Sequence, residues 1–400
     1  MKTILHPIFL YFIGTFIGLS PYFFGSRYFD LYGLFIFDER ILAVYVVGFL
    51  SFTLGSFFFR IIYTRGDINK VFVMRNFTPF IFVLLIISLV IFLKIISVYG
   101  TIPLAAILTG GENINFINEA QKKSGSGIFG LFSLVIFSLV ILLPYSIINK
   151  GTVYLSNNIF WSHIILLIIY STYSGKRQMM FILLTYVFTY IYIYYIRVND
   201  FYFLKKIRFS SIVIGGMVVF LFLLIGVIRS NGMDQSVSIF DPIVHYASLP
   251  YMNLTEIIRI QESNTHAFST TSLYETLLSD LPTFIKYSFF GEMHTQRMPF
   301  IESTSPSTIY GQLFWSFSYF GVVIFSISIG FISTLFYEKS FYGVNEAFIS
   351  CYSLTVWPLL SIHTYNHFKN FTFFLIPLLL IIIGRFVYSS LPKNRNYNAT

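Results

Sequence analysis

The chain has 400 residues, of which 56% are hydrophobic and only 11% charged, and it carries 49 Phe and 29 Tyr. A soluble globule has about 25% charged residues because water must solvate its surface, so a soluble fold of this size is excluded and a bilayer is the solvent that suits the chain. The formal net charge of +9 is explained by how Lys and Arg divide between the two sides of a membrane, which leaves no ground for a nucleic-acid partner.

A helical span needs about 20 mostly apolar residues to cross about 30 Å of hydrocarbon. At the N-terminus Lys2 precedes an apolar stretch with no small-x-small cleavage site behind it, which reads as an uncleaved first span. In chain order the predicted spans are 4–24, 41–63, 79–99, 128–149, a short one at 159–173, then 179–196, 212–228, 309–335, 346–362 and 371–391. Phe, Tyr and β-branched residues are poor helix formers in water, but in lipid the backbone must satisfy its own hydrogen bonds and helix wins. The expected fold is an all-α polytopic integral membrane protein of about ten transmembrane helices, forming a single membrane domain over residues 1–400.

Orientation follows from Lys and Arg. With the N-terminus cytoplasmic, the inner segments are the N-terminus, 64–78, 150–158, 197–211, 336–345 and the C-terminal tail. That side then holds 14 of the 26 Lys and Arg against 4 of the 17 acids, and the opposite side holds 11 against 13. The clusters Arg65/Lys70/Arg75, Arg197/Lys205/Lys206/Arg208 and Lys393/Arg395 all fall inside.

Two outer segments are more than connectors. Residues 100–127 contain the pair Lys122/Lys123 and end in the flexible run Ser124-Gly125-Ser126-Gly127. Residues 229–308 form the dominant outer loop, with eight acids, four Lys/Arg and three of the seven histidines. Within it 241–260 and 272–290 read as amphipathic helices lying across the membrane surface.

Motifs of soluble enzymes are missing: no GxxxxGK[ST], no GxGxxG after a strand, no HExxH and no GxSxG. The single Cys351 permits no internal disulfide and no cysteine-based metal cluster. His363 and His367 stand at i, i+4, which could aim two imidazoles at a metal, but no third ligand is evident and no metal is assigned. Cations at the outer boundary form a more specific pattern: Lys176 and Arg177 beside the short fifth span, Arg229 closing the seventh, and Arg297 before the eighth. Each alone is explained by snorkelling; together they converge at the depth of lipid phosphates, which guanidinium binds bidentately. In the large loop Glu256, Asp280, Glu292, Glu302, His245 and His294 are candidate bases. Glu292 and His294 rank first, because the run from Gly291 to Arg297 gathers acid, imidazole and guanidinium. Arg259, three residues beyond Glu256, predicts an ordinary helix-surface ion pair.

The layout, the run Ser174-Gly175-Lys176-Arg177 after a short span, and the Ser/Thr/Pro-rich stretch 303–307 leading into Tyr310-Gly311 and Phe320-Gly321 resemble the Wzy-type O-antigen and capsule repeat-unit polymerases. The resemblance implies transfer of a growing glycan from undecaprenyl pyrophosphate to the terminal sugar of a new lipid-linked unit, on the outer face of the bacterial inner membrane. It implies lipid-linked donor and acceptor, membrane lipid and a chain-length regulator protein as partners, and no cofactor or metal. Arg177 and Arg229 would clamp the pyrophosphate, Lys176 and Arg297 would assist, and Glu292 or His294 would be the base. The related O-antigen ligases share the layout, and a transporter or flippase of lipid-linked glycan is the alternative of another class. A transporter is expected to show repeats, broken helices and ionisable groups at mid-membrane, and of these only Lys94, near the outer end of its span, is evident.

Overall fold

A computed structural model describes residues 2–24, 38–62, 70–74, 86–93, 96, 166, 177–198, 241–263, 308–343, 347–363 and 388–392. After a 3-10 turn at Lys2–Leu5 come α1 (Pro7–Phe24), α2 (Glu39–Ile62), β1 (Lys70–Met74), α3 (Arg177–Val198), α4 (Asp241–Ser263), α5 (Ile309–Tyr342), α6 (Ala347–Leu360) and β2 (Tyr388–Pro392). Residues 86–93 are also helical. The predicted spans 128–149 and 212–228, the loop 100–127 and the helix at 272–290 lie outside the described residues.

Helix ends carry local chemistry that explains where they fall. Asp38 caps α2: its Oδ1 accepts the Arg40 backbone N–H at 2.9 Å, satisfying a donor that helix geometry leaves orphaned. Glu39 in the first turn and Arg60 in the last complement the helix dipole. Thr308 caps α5 in the same way, its Oγ1 accepting from Gly311 N–H at 2.8 Å. The far end of α6 closes where Ser361 donates through both N–H and Oγ to the Trp357 carbonyl, at 2.9 and 2.8 Å.

Two corrections to the sequence reading emerge. The described chain is helical apart from an antiparallel ladder pairing Lys70–Met74 with Tyr388–Pro392, Lys70 opposite Pro392 and Met74 opposite Tyr388. The strand takes residues 388–391 away from the predicted tenth span. Residues 241–263 are helical as expected, but 248–255 are buried without interruption. A helix lying on a bilayer surface keeps one face wet; α4 instead packs its middle against α1 and α2.

The chain divides into two compact units. The first comprises Met1–Gly66, Phe240–Lys339 and Leu354–Leu375, the second Asp67–Ile239, Ser340–Ser353 and Ile376–Thr400. In the first unit α2 and α5 run parallel and meet through glycine. A Cβ on Gly55 would collide with the Ile327 carbonyl, and one on Gly330 with the Phe52 carbonyl, so each helix offers the other a bare backbone. Close approach lets Thr334 Oγ1 donate to Ser56 Oγ at 2.7 Å and sets Phe59 edge-on to Phe331 at 5.4 Å. α1 crosses antiparallel to both, with Tyr11 stacked on Phe52 at 3.9 Å between centroids. Gly14 seats α1 against the carbonyls of Leu359 and Leu360.

The distribution of polarity is that of helices in lipid. Thr15, Ser51, Ser56, Ser326, Ser333 and Thr334 are buried, whereas Phe12, Phe16, Leu50, Leu54, Phe57 and Ile61 are exposed. Small and hydroxylic residues at helix contacts and large apolar ones outward is how membrane helices associate. Two helices, Glu39–Ile62 and Phe317–Tyr342, are long and apolar enough to cross a membrane. In the second unit α3 buries Ile182, Tyr186, Tyr190 and Ile193, one helical face at i, i+4, i+8 and i+11. Tyr186 donates to Ser350 at 3.0 Å and Arg197 to the Gly343 carbonyl at 2.9 Å.

Candidate functional site

The first unit has two polar ends. At one, where α1 begins and α2 and α5 finish, Arg60 reaches both the His6 imidazole and the carboxylate of Glu338, the latter at 3.9 Å. Glu338 is buried, and His6 also stands edge-on to Tyr337 at 5.1 Å. Three helix ends thus share one set of charges.

The other end is built from tyrosines. Tyr310, in the first turn of α5, donates to the Tyr11 hydroxyl at 2.7 Å, and Tyr11 lies 3.5 Å from Ser326 Oγ. The Tyr45 ring stands edge-on to Tyr310 at 4.8 Å, and its hydroxyl faces Thr308. Gly48 leaves the space that the Tyr310 ring fills, and Gly18 does the same for Tyr45 and His363. From α4, Tyr251 brings its hydroxyl to the Asp38 backbone. The Asp38 carboxylate is gripped by Arg40 through Nε at 2.8 Å and Nη2 at 2.6 Å. Ile309 N–H donates to the Ile362 carbonyl at 2.9 Å, tying α5 to the end of α6.

The chemistry here is that of anchoring. Hydrogen bonding from Arg40 holds the Asp38 carboxyl below the usual carboxylate range, so it is a poor base. Burial pushes the Tyr251 hydroxyl up to about 12, which keeps it a neutral hydrogen-bonding group. Burial lowers His363 to about 4, opposed by a hydrogen bond with the Leu360 backbone, so its imidazole is neutral. Among the described residues no three His, Cys, Asp or Glu side chains gather where they could hold a metal.

Of the six residues that the sequence nominates, Glu292, His294, Lys176, Arg229 and Arg297 lie outside the described residues. Arg177 is the first residue of α3, and its side chain lies outside them too, as does His367, the second member of the histidine pair. The Glu256–Arg259 ion pair forms, with 2.7 Å between Nη2 and Oε1. Sequence reasoning missed the tyrosine cluster, since in a chain with 29 Tyr no single one stands out. The signals present were Thr308 two residues before Tyr310, and Asp38 two residues before Arg40, each readable as a helix cap.

No known family model, curated protein or solved structure matches the chain.

Proposed function

We propose that the chain polymerises undecaprenyl-pyrophosphate-linked oligosaccharide repeat units into O-antigen or capsular polysaccharide, working on the outer face of the bacterial inner membrane with both termini cytoplasmic. The observation that carries this reading is the agreement of packing with charge. The inner segments assigned from Lys and Arg meet one another in the fold: His6 with Arg60, Arg60 with Glu338, Arg197 with Gly343, and β1 with β2. The outer ones do the same: Asp38 with Tyr251, and Ile309 with Ile362. A chain that leaves α2 on one side and enters α5 from the other must cross an odd number of times in between, which fits the five spans predicted there. The large loop then faces outward, where a lipid-linked glycan is presented, and its helix α4 is seated in the membrane unit.

In this reading the acceptor sugar hydroxyl attacks the anomeric carbon of the donor. Glu292 or His294 takes the hydroxyl proton. A glycosidic bond forms as the bond to pyrophosphate breaks, and undecaprenyl pyrophosphate leaves. Pyrophosphate is a good leaving group, so the demand is for cations that stabilise the developing charge; Arg177 and Arg229 grip it, and Lys176 and Arg297 assist. Holding two large lipid-linked substrates in line supplies much of the remaining acceleration.

The test is to delete the gene and separate the surface glycan on a gel. The proposal expects anchors capped with a single repeat unit. Unattached long glycan would instead indicate a ligase, and loss of all surface glycan a flippase.

A further inference from the structure

Helix α5 is two pieces joined at one residue. Ser318 has φ 55° and ψ −151°, a backbone region that glycine enters freely and residues with a Cβ do not. Three residues on, Gly321 serves the same break: a Cβ there would stand 2.6 Å from Phe317 Cβ and 2.8 Å from the Leu313 carbonyl. The absence of a side chain at 321 is what lets the pieces close on each other.

Each piece is held by different neighbours. Residues 309–317 are fixed by the Ile309–Ile362 backbone bond, by the Tyr310–Tyr11 hydroxyl bond and by the seating of the Tyr310 ring on Gly48 and Tyr45. Residues 319–342 are fixed by the Gly330 contact with Phe52 and by the Thr334–Ser56 bond. Strain at the joint therefore persists because both anchors hold. A competing state is available to the same sequence: with helical dihedrals at Ser318, all 34 residues of α5 form one straight rod of about 51 Å. Such a rod lifts Tyr310 out of its seat while the Gly55–Gly330 contact stays intact.

We propose that Ser318 is a hinge and that residues 309–317 are a latch, closed in this conformation over the Tyr11 and Tyr45 end of the first unit and opened by straightening of α5. In sequence the latch directly follows the 229–308 loop, so its position sets where that loop returns to the membrane. The inference does not depend on the glycan reading, and its test uses neither substrate nor membrane.

The test is the rate at which a maleimide modifies the full-length purified protein carrying Leu313→Cys. Leu313 is fully buried in the closed latch, and the native Cys351 is buried as well, which keeps the background low. The proposal expects labelling above the Cys351 background. It expects about a fivefold faster rate with Tyr310→Phe added, the population change that follows from one lost buried hydrogen bond. Tyr11→Phe removes the same bond from the other side, so it should match Tyr310→Phe and the pair should add nothing further; it also serves if Tyr310→Phe does not fold. Ser318→Gly should slow labelling about fivefold, because glycine relieves the closed joint and weakens the straight helix. Equal rates in all variants, faster labelling with Ser318→Gly, or labelling no faster than the background throughout would each overturn the hinge.

Discussion

Replacing Gly55 by alanine tests whether bare-backbone contact organises the first unit. The added Cβ would collide with the carbonyl of Ile327, an atom that no rotamer change can move, so α2 and α5 must separate by roughly 1 Å to restore van der Waals spacing. That shift stretches the 2.7 Å Thr334–Ser56 bond beyond good geometry, at about 0.6 kcal/mol for a hydrogen bond between membrane helices. It also weakens the 5.4 Å Phe59–Phe331 edge contact, worth about 0.5–1.5 kcal/mol. With about 1–3 kcal/mol for overpacking, the total is about 2–4 kcal/mol. Thermal unfolding of the purified protein in detergent, followed by size-exclusion recovery, measures it. Leu50→Ala is the control: its side chain is exposed, so it should cost within about 0.5 kcal/mol. Gly330→Ala should match Gly55→Ala, and the double variant should cost less than the sum, since helices already separated make room for the second methyl. If Gly55→Ala is tolerated as well as Leu50→Ala, the packing argument fails.

Other consequences are open to measurement. His363 is held near 4 by burial against an ordinary value of 6.5, so the unfolded chain binds its proton first; stability contributed by neutral His363 is complete above pH 6.5 and falls as the pH drops toward 4, by about 3 kcal/mol. Unfolding midpoints between pH 7 and 4 should flatten in His363→Gln, and an unchanged pH slope would refute this. Reporter fusions after residues 70, 204 and 398 should read cytoplasmic and those near 115, 235 and 265 external; a cytoplasmic reading at 265 would remove the large loop from outward-facing substrate. Polymerisation by the purified protein should survive strong chelators, and loss with EDTA that added divalent metal restores would assign the acids to a metal. Arg177→Lys should shorten glycan chains at normal expression, because Lys keeps charge but lacks the planar fork; normal chain length in both Arg177→Lys and Arg229→Lys would place the pyrophosphate elsewhere.

Where helices lie was legible, because hydropathy is a local property. Predicted spans 41–63, 179–196 and 346–362 correspond to helices Glu39–Ile62, Arg177–Val198 and Ala347–Leu360. What depends on a distant partner was not legible. Helix α5 continues to Tyr342 rather than stopping at 335, since the polar stretch at Glu338 is buried where it meets Arg60, far away in sequence. The strand at 388–392 was hidden in an apolar run whose partner lies at 70–74. The break at Ser318 has no sequence signature beyond a glycine three residues late. As for the candidate site, the Glu256–Arg259 pair was legible because both partners sit on one helix. The tyrosine cluster required α1, α2, α4 and α5 to be brought together first.

The burial of α4 changes how substitutions in the large loop are to be interpreted. A surface-lying helix would let loop residues vary without consequence for the membrane helices. Instead Tyr251, Asn253 and Leu254 are fully enclosed against α1 and α2, so this part of the loop belongs to the folded unit, and Tyr251 reaches the residue that caps α2. A Tyr251→Ala variant therefore leaves a cavity at a helix junction, costing about 3–5 kcal/mol by analogy with other aromatic truncations, and would abolish activity through loss of protein. Arg259, exposed on the same helix, can lose its charge at little cost, because a surface i, i+3 pair is worth only about 0.3–0.5 kcal/mol. Comparing Tyr251→Ala with Arg259→Ala, with membrane protein level measured beside glycan length, separates the structural part of the loop from any part that touches substrate. If Tyr251→Ala accumulates normally, α4 does not hold the unit together and its enclosure is incidental.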